Sequence, residues 1–160
     1  MYIKELEIRW SDIDANRHVA NSAYVNLLSQ TRMSFLESHG ITQRYFAEHN
    51  FGPVVFNEEY HYIKEVHAGS IIKASLELLA NNKDYSQIKF AHCIFNHKNE
   101  LCVYSEAFFG WMDLKARKLI APPQKLLDLI DHTSHADNHY ELPEGIHLKN
   151  EKVPYGKELV

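Results

Sequence analysis

Residues 2 to 10 alternate, with Leu6, Ile8 and Trp10 on one side of the chain and Glu5, Glu7 and Arg9 on the other. A period of two predicts a half-buried strand. The next stretch, 11–18, is rich in turn formers and follows neither period, so it reads as a loop. From Ser22 the period changes: Tyr24, Leu27, Leu28, Thr31 and Phe35 recur at helical spacing, Asn21 or Ser22 offers a cap, and Gly40 offers a stop. One long helix is predicted there. Beyond Gly52-Pro53 the alternation returns and predicts four strands, at about 54–67, 71–80, 85–96 and 101–113. The breaks between them are short, which requires antiparallel neighbours, because parallel pairing needs a crossover of a dozen or more residues. Pro122-Pro123 then introduces a short apolar helix carrying Leu126, Leu127, Leu129 and Ile130.

Strand, long helix, then four antiparallel strands is an α+β order, with the helix laid on one face of the sheet. It predicts one domain over residues 1–132, followed by a polar, extended arm over 133–160 that contains Pro143 and Pro154. One helix covers only one face. Phe108, Phe109, Trp111 and Met112 load the last strand with more apolar bulk than a half-wet strand needs, so a second copy of the chain is the expected cover.

Composition narrows the function. The chain carries 17 Lys and Arg against 21 Asp and Glu, a net charge of −4, and shows no basic stripe, which argues against a nucleic-acid binder. It contains no apolar run of the roughly 18 residues that would suggest a membrane span. Cys93 and Cys102 cannot build a disulfide framework, and the opening Met1-Tyr2-Ile3-Lys4-Glu5 lacks the regions of a signal peptide, so the cytoplasm is the expected compartment. A two-residue turn at His97-Lys98 would set the two cysteines opposite one another; as reduced thiols they are expected to pack as core.

Asp14, Asn16 and His18 place a carboxylate, an amide and an imidazole at alternate positions just before the helix start. A helix N-terminus presents unpaired N–H groups and partial positive charge, so it can stabilise an oxyanion, while the carboxylate attacks or activates water. The same residue types also serve as ordinary turn and cap residues. Spacing alone leaves both readings open.

The stretch from Arg9 to Tyr24, RWSDIDANRHVANSAY, resembles the Asp-x-Asp-x-x-Gly-His-Val-x-Asn-x-x-Tyr signature of hotdog-fold thioesterases of the 4-hydroxybenzoyl-CoA type. The element order extends the resemblance over residues 1–132. It implies a long central helix wrapped by a curved antiparallel sheet, and two subunits paired edge to edge with active sites at their interface. The segment from Tyr62 to Ser70 is similar to that family's Tyr-x-x-x-x-x-x-Gly-Asp, with Ser70 in place of Asp. By resemblance, Asp14 is the catalytic carboxylate, the backbone N–H at Asn21 is the oxyanion donor, and Tyr24 borders the substrate. The plant acyl-carrier-protein thioesterases carry Asp-x-Asn-x-His, which Asp14, Asn16 and His18 match, and a Glu near the end of the next strand, which Glu65 matches by position. Arg17 stands where the bacterial signature has Gly, and this departure bears on the turn and on substrate choice.

His18 is open to two readings, a base or orienting group beside Asp14, or a ring that fixes the turn. Glu65 is equally open to being a solvated charge at a strand end. Asp12 reads as a turn residue. His132, His135 and His139 have spacings that would suit metal ligands on a helix, but their polar setting makes them a solvated surface, and neither metal nor cofactor is expected. Lys115, Arg117 and Lys118 form the densest basic cluster, yet they read as a solvated loop. The reading is therefore a homodimeric or tetrameric hydrolase of acyl-CoA or acyl-carrier-protein thioesters. A hotdog dehydratase or hydratase is the alternative enzyme, and an acyl-thioester binding protein without turnover is the alternative of another class.

Overall fold

In the computed structural model, which describes residues 1–143, the alternating segments become strands of one sheet. These are β1 (Tyr2–Glu7), β2 (Phe51–Tyr62), β3 (Ile71–Asn81), β4 (Gln87–Phe95), β5 (Leu101–Asp113), β6 (Lys118–Leu119) and β7 (His135–Glu141). Three helices accompany them: α1 (Asn21–Ser38), α2 (Gln43–Glu48) and α3 (Gln124–Asp131). The sheet runs β1-β3-β4-β5-β2, antiparallel throughout, with β6 added to β5 and β7 to β3. It curls around α1, the hotdog arrangement. Burial follows position in the sheet: β1 and the outer part of β2 alternate, whereas β3, β4 and β5 bury consecutive residues.

The long helix buries Tyr24, Leu27, Leu28, Thr31, Phe35 and Leu36, whose spacing of three and four puts them on one face. Gly40, at φ +74°, ends it as expected, and the Ile41 N–H closes back on the Leu36 carbonyl at 2.9 Å. The short α2 escaped the periodicity. Its Thr42 side chain caps it by accepting from the Tyr45 N–H, and it buries Phe46 against Phe51 and Trp111. In α3, Leu126 and Ile130 are fully buried. No helix among the described residues is long and apolar enough to cross a membrane.

Several details depart from the sequence reading. The first strand stops at Glu7, and Trp10 is 89% exposed instead of facing the core with Leu6 and Ile8. The cause is Asp12, whose carboxylate accepts from the Arg9 backbone N–H at 2.9 Å and from its guanidinium at 2.9 and 3.2 Å, winding Trp10–Asp12 into a 3-10 turn. The helix begins at Asn21 with Ala20 as its cap residue, so neither Asn21 nor Ser22 caps it. Residues 135–141 are extended, but they lie on β3 in parallel, with Leu78 opposite His135 and Ala80 opposite Tyr140. The sheet thus continues past residue 132, and the three histidines do not share a helical face; the rest of the expected arm, 144–160, lies outside the described residues. Both cysteines are free, and Cys93 faces Tyr104, not Cys102, because the turn after β4 is longer than two residues.

A buried polar cluster ties α1 to the sheet. Arg32 occupies a core-facing position of α1 and is only 8% exposed. Its Nη2 donates to Glu58 Oε1 at 2.6 Å and to Ser29 Oγ at 3.0 Å, and its Nη1 lies 3.5 Å from His92 Nε2. The other ring nitrogen of His92 is 2.8 Å from the Ser75 carbonyl. A carbonyl only accepts, so Nδ1 carries the proton and Nε2 turns its lone pair to Arg32. Burial, with the Arg32 charge as second cause, pushes the His92 imidazole down from 6.5 to about 3.

This has a measurable consequence. Between pH 6.5 and about 3 the unfolded chain takes up a proton at residue 92 that the folded chain refuses, so stability present above 6.5 is lost as pH falls. Urea unfolding midpoints should therefore decline from pH 6.5 to 5 in the natural protein and decline less in His92→Asn. Equal slopes would contradict the buried neutral imidazole.

Candidate active site

The loop before α1 is a small hairpin. Ile13 and Val19 form a bridge, the Asp14 N–H donates to the His18 carbonyl at 2.9 Å, and the Arg17 N–H returns to the Asp14 carbonyl at 3.0 Å. Such a turn needs one residue in the left-handed region, and Arg17 supplies it with φ +68°. This explains physically why a glycine suits that place in the resembling signature. Asp14 Oδ1 accepts from the Asn16 N–H at 2.8 Å and lies 3.4 Å from the His18 N. The Val19 N–H donates to the Val66 carbonyl and the Ala20 N–H to the Asp12 carbonyl, both at 2.8 Å. The hairpin is thereby held from both sides. Asp12 itself serves this framework: its hydrogen bonds from Arg9 hold its carboxyl below the usual carboxylate range.

Asp14, His18, Asn21, Tyr24 and Glu65 all line one open cleft of about 290 Å³. The loop contributes the first two, the opening of α1 the next two, and the segment after β2 the last. His18 Nε2 lies 3.2 Å from Glu65 Oε2, so the two readings left open for each residue meet in one contact. Burial pushes the Tyr24 phenol up to about 12, keeping it a neutral hydroxyl, and its ring tilts against Tyr62 at 5.6 Å. At the helix start, the Ala23 N–H turns back to the Ala20 carbonyl at 2.9 Å, and no side chain caps the helix. The N–H groups of Asn21 and Ser22 have no partner among the described residues.

Asn16 and Arg17 are exposed and do not line the cleft; Asn16 meets Asp14 through its backbone N–H. The cleft also includes Tyr62, Ile63 and Lys64, none of which the sequence reading assigned a role. They follow from where β2 ends, a long-range placement without a local signal. The nearest hint was the motif running from Tyr62 to Gly69, whose glycine adopts φ +72° and turns the chain into β3. A carboxylate, an imidazole paired with a second carboxylate, and open helix N–H groups in one cleft can stabilise an oxyanion while activating a nucleophile at a carbonyl.

Comparison with known proteins shows what the chain is similar to. Residues 8–130 match the sequence profile described as the thioesterase-like superfamily. An L-carnitine dehydrogenase/betainyl-CoA thioesterase of Agrobacterium fabrum is 25% identical over 132 residues, 81% of this chain. The matched part is only 26% of that relative's length. A 1,4-dihydroxy-2-naphthoyl-CoA thioesterase from Synechocystis superposes with a TM-score of 0.75 at 14% identity, covering 82% of this chain and 96% of its own. A Staphylococcus aureus protein whose structure was determined in complex with CoA gives 0.76 at 17% identity, covering 94% and 93%. At these identities the structural likenesses establish the fold.

The turn geometry is testable. Left-handed backbone costs a non-glycine residue roughly 1–2 kcal/mol, more for a β-branched one. Thermal denaturation should show Arg17→Gly at least as stable as the natural protein and Arg17→Val less stable by about 1–2 kcal/mol. A destabilised glycine variant beside a neutral valine variant would contradict the assigned turn.

Proposed function

The chain belongs to the thioesterase-like superfamily, and from that premise we propose that it hydrolyses an acyl-CoA thioester to the free acid and the thiol, with Asp14 as the catalytic carboxylate. The observation that carries the reading is the meeting of Asp14 with the uncapped start of α1 in one cleft. The thioester carbonyl sits with its oxygen toward the Asn21 and Ser22 N–H groups, where charge develops in the transition state. The hydrogen bond to Asn16 fixes one oxygen of Asp14, and the other faces the carbonyl carbon, either attacking it or drawing a proton from water. The carbon–sulfur bond then breaks, and the thiolate leaves with a proton. Attack by activated water gives the acid directly, whereas attack by Asp14 leaves a mixed anhydride that water hydrolyses to the acid and the free carboxylate. His18, paired with Glu65, stands in the cleft as the proton source, and Tyr24 supplies a neutral hydroxyl beside the acyl group.

CoA as the carrier is supported by the CoA-bound neighbour and by the CoA thioesters in the relatives' names. An acyl-carrier-protein thioester is the second carrier of the same chemistry. A further cleft of about 140 Å³ between α1 and β2, lined by Met33, Leu36, Val55, Phe90 and Trp111, supplies an apolar wall of the kind an acyl group needs. The exposed edge of β2, with Val55 50% and Tyr62 54% exposed, is where a second copy would pair, and a homo-oligomer is part of the proposal. Arg17, on the outer side of the turn, is assigned to tuning among substrates.

Asp14→Asn should lower kcat/KM on the best acyl-CoA by at least about 10²-fold with an unchanged melting temperature. Free thiol and product mass, followed over a panel of acyl-CoAs and one acyl-carrier protein, separate hydrolysis from hydration, which leaves the thioester intact and changes the mass by one water. A folded Asp14→Asn enzyme with a near-natural rate would remove the assignment. Chelator treatment should not lower the rate, because no step uses a metal.

A further inference from the structure

We propose that His18, Glu65 and His67 form a binding site for a zinc-class divalent cation at the rim of the cleft, and that the bound cation stops hydrolysis. The site follows from backbone register. His18 and His67 face one another in an isolated antiparallel bridge between the loop before α1 and the segment that leads into β3. Directly opposed residues in such a pair project to the same face with Cβ atoms about 4.5–5.5 Å apart. The two imidazoles meet edge to face, with ring centres 5.0 Å apart at 70°. Glu65 lies two residues before His67 with the buried Val66 between them, so the two exposed side chains share a face, and Glu65 Oε2 is 3.2 Å from His18 Nε2. One ligand atom from each of the three residues lies within 4.8 Å of the others.

Zinc binds imidazole nitrogen and carboxylate oxygen at about 2.0–2.2 Å in tetrahedral geometry, which sets ligand atoms roughly 3.3–3.5 Å apart. The His18–Glu65 separation is already that short. Only the exposed His67 ring needs to move, by about 1.5 Å at most, a torsion change in a surface side chain. The adjoining Val19 N–H to Val66 carbonyl bond at 2.8 Å keeps the two backbones in register, so little ordering is required on binding. Two imidazoles and one carboxylate select zinc or nickel over magnesium and calcium, which prefer all-oxygen shells. Water completes the fourth position.

Binding and hydrolysis compete for the same atoms. A cation on His18 Nε2 occupies the lone pair on the nitrogen that faces Glu65, and holds Glu65 as well. The inhibitory half of the proposal rests on the thioesterase reading above; the binding half does not. His67 lies outside the cleft that holds Asp14, so its removal separates the two.

The test uses the full chain stripped with a chelator and titrated calorimetrically with zinc chloride, and separately with magnesium chloride. One zinc per chain should bind, magnesium should give no heat of binding, and cobalt(II) should give the visible absorption of a low-symmetry site. His67→Ala should weaken zinc binding at least about tenfold, leave zinc-free hydrolysis unchanged, and raise the zinc concentration that halves the rate by a similar factor. His67→Gln should do the same should the alanine variant prove unstable. Absence of zinc binding, or binding of unchanged strength in both variants, would overturn the site. Zinc binding as described in a protein that hydrolyses no thioester would leave the site standing and remove the functional reading instead.

Discussion

Two backbone hydrogen bonds set the position of the loop that forms one side of the cleft. The Val19 N–H to the Val66 carbonyl and the Ala20 N–H to the Asp12 carbonyl fix the chain just before α1, so the helix starts at Asn21 without a capping side chain. An uncapped start is a cost in an ordinary helix, since a Ser, Thr, Asp or Asn cap is worth about 1 kcal/mol. Here it leaves the first N–H groups of α1 uncapped beside the cleft that Asp14 and Asn21 line. The Val19 N–H to Val66 carbonyl bond also holds the segment after β2 alongside the loop, where Glu65 reaches His18 and His67 lies opposite it.

The framework behind this loop includes a buried polar cluster. Arg32, Glu58 and His92 pin the middle of α1 to β2 and β4, and a buried charge that loses its partner costs about 3–5 kcal/mol. The cluster fixes how α1 sits on the sheet, and with it the direction in which the helix start points. On the loop side, Asp12 holds the exposed Arg9 across the 3-10 turn.

The regular elements were legible because each has a clear stop: the helical stripe from Tyr24 to Leu36 ends at Gly40, and the four strands between residues 51 and 113 lie between turn-rich breaks. The signature singled out Asp14, His18, Asn21 and Tyr24, and position alone singled out Glu65; the structure brings all five to one cleft. What escaped was non-local. Tyr62 and Lys64 join the cleft only through the course of β2, Arg32 sits in an apolar stripe that periodicity treats as core, and β7 is a polar segment held in extended form by the free edge of β3. Trp10 was misplaced for a local reason, since the Asp12 carboxylate outcompetes the strand for the Arg9 N–H. The positive φ at Arg17 could not be read from an arginine, yet it explains why the bacterial signature has a glycine at that place.

The central claim is that a thioester carbonyl is held between Asp14 and the start of α1. A crystal structure with a non-hydrolysable acyl-CoA analogue, in which a methylene replaces the departing sulfur linkage next to the carbonyl, tests it most directly. The account predicts the carbonyl oxygen within about 3.2 Å of the Asn21 or Ser22 nitrogen, with the carbonyl carbon facing the Asp14 carboxylate. An analogue bound with its carbonyl away from both, or bound only elsewhere on the protein, would contradict it.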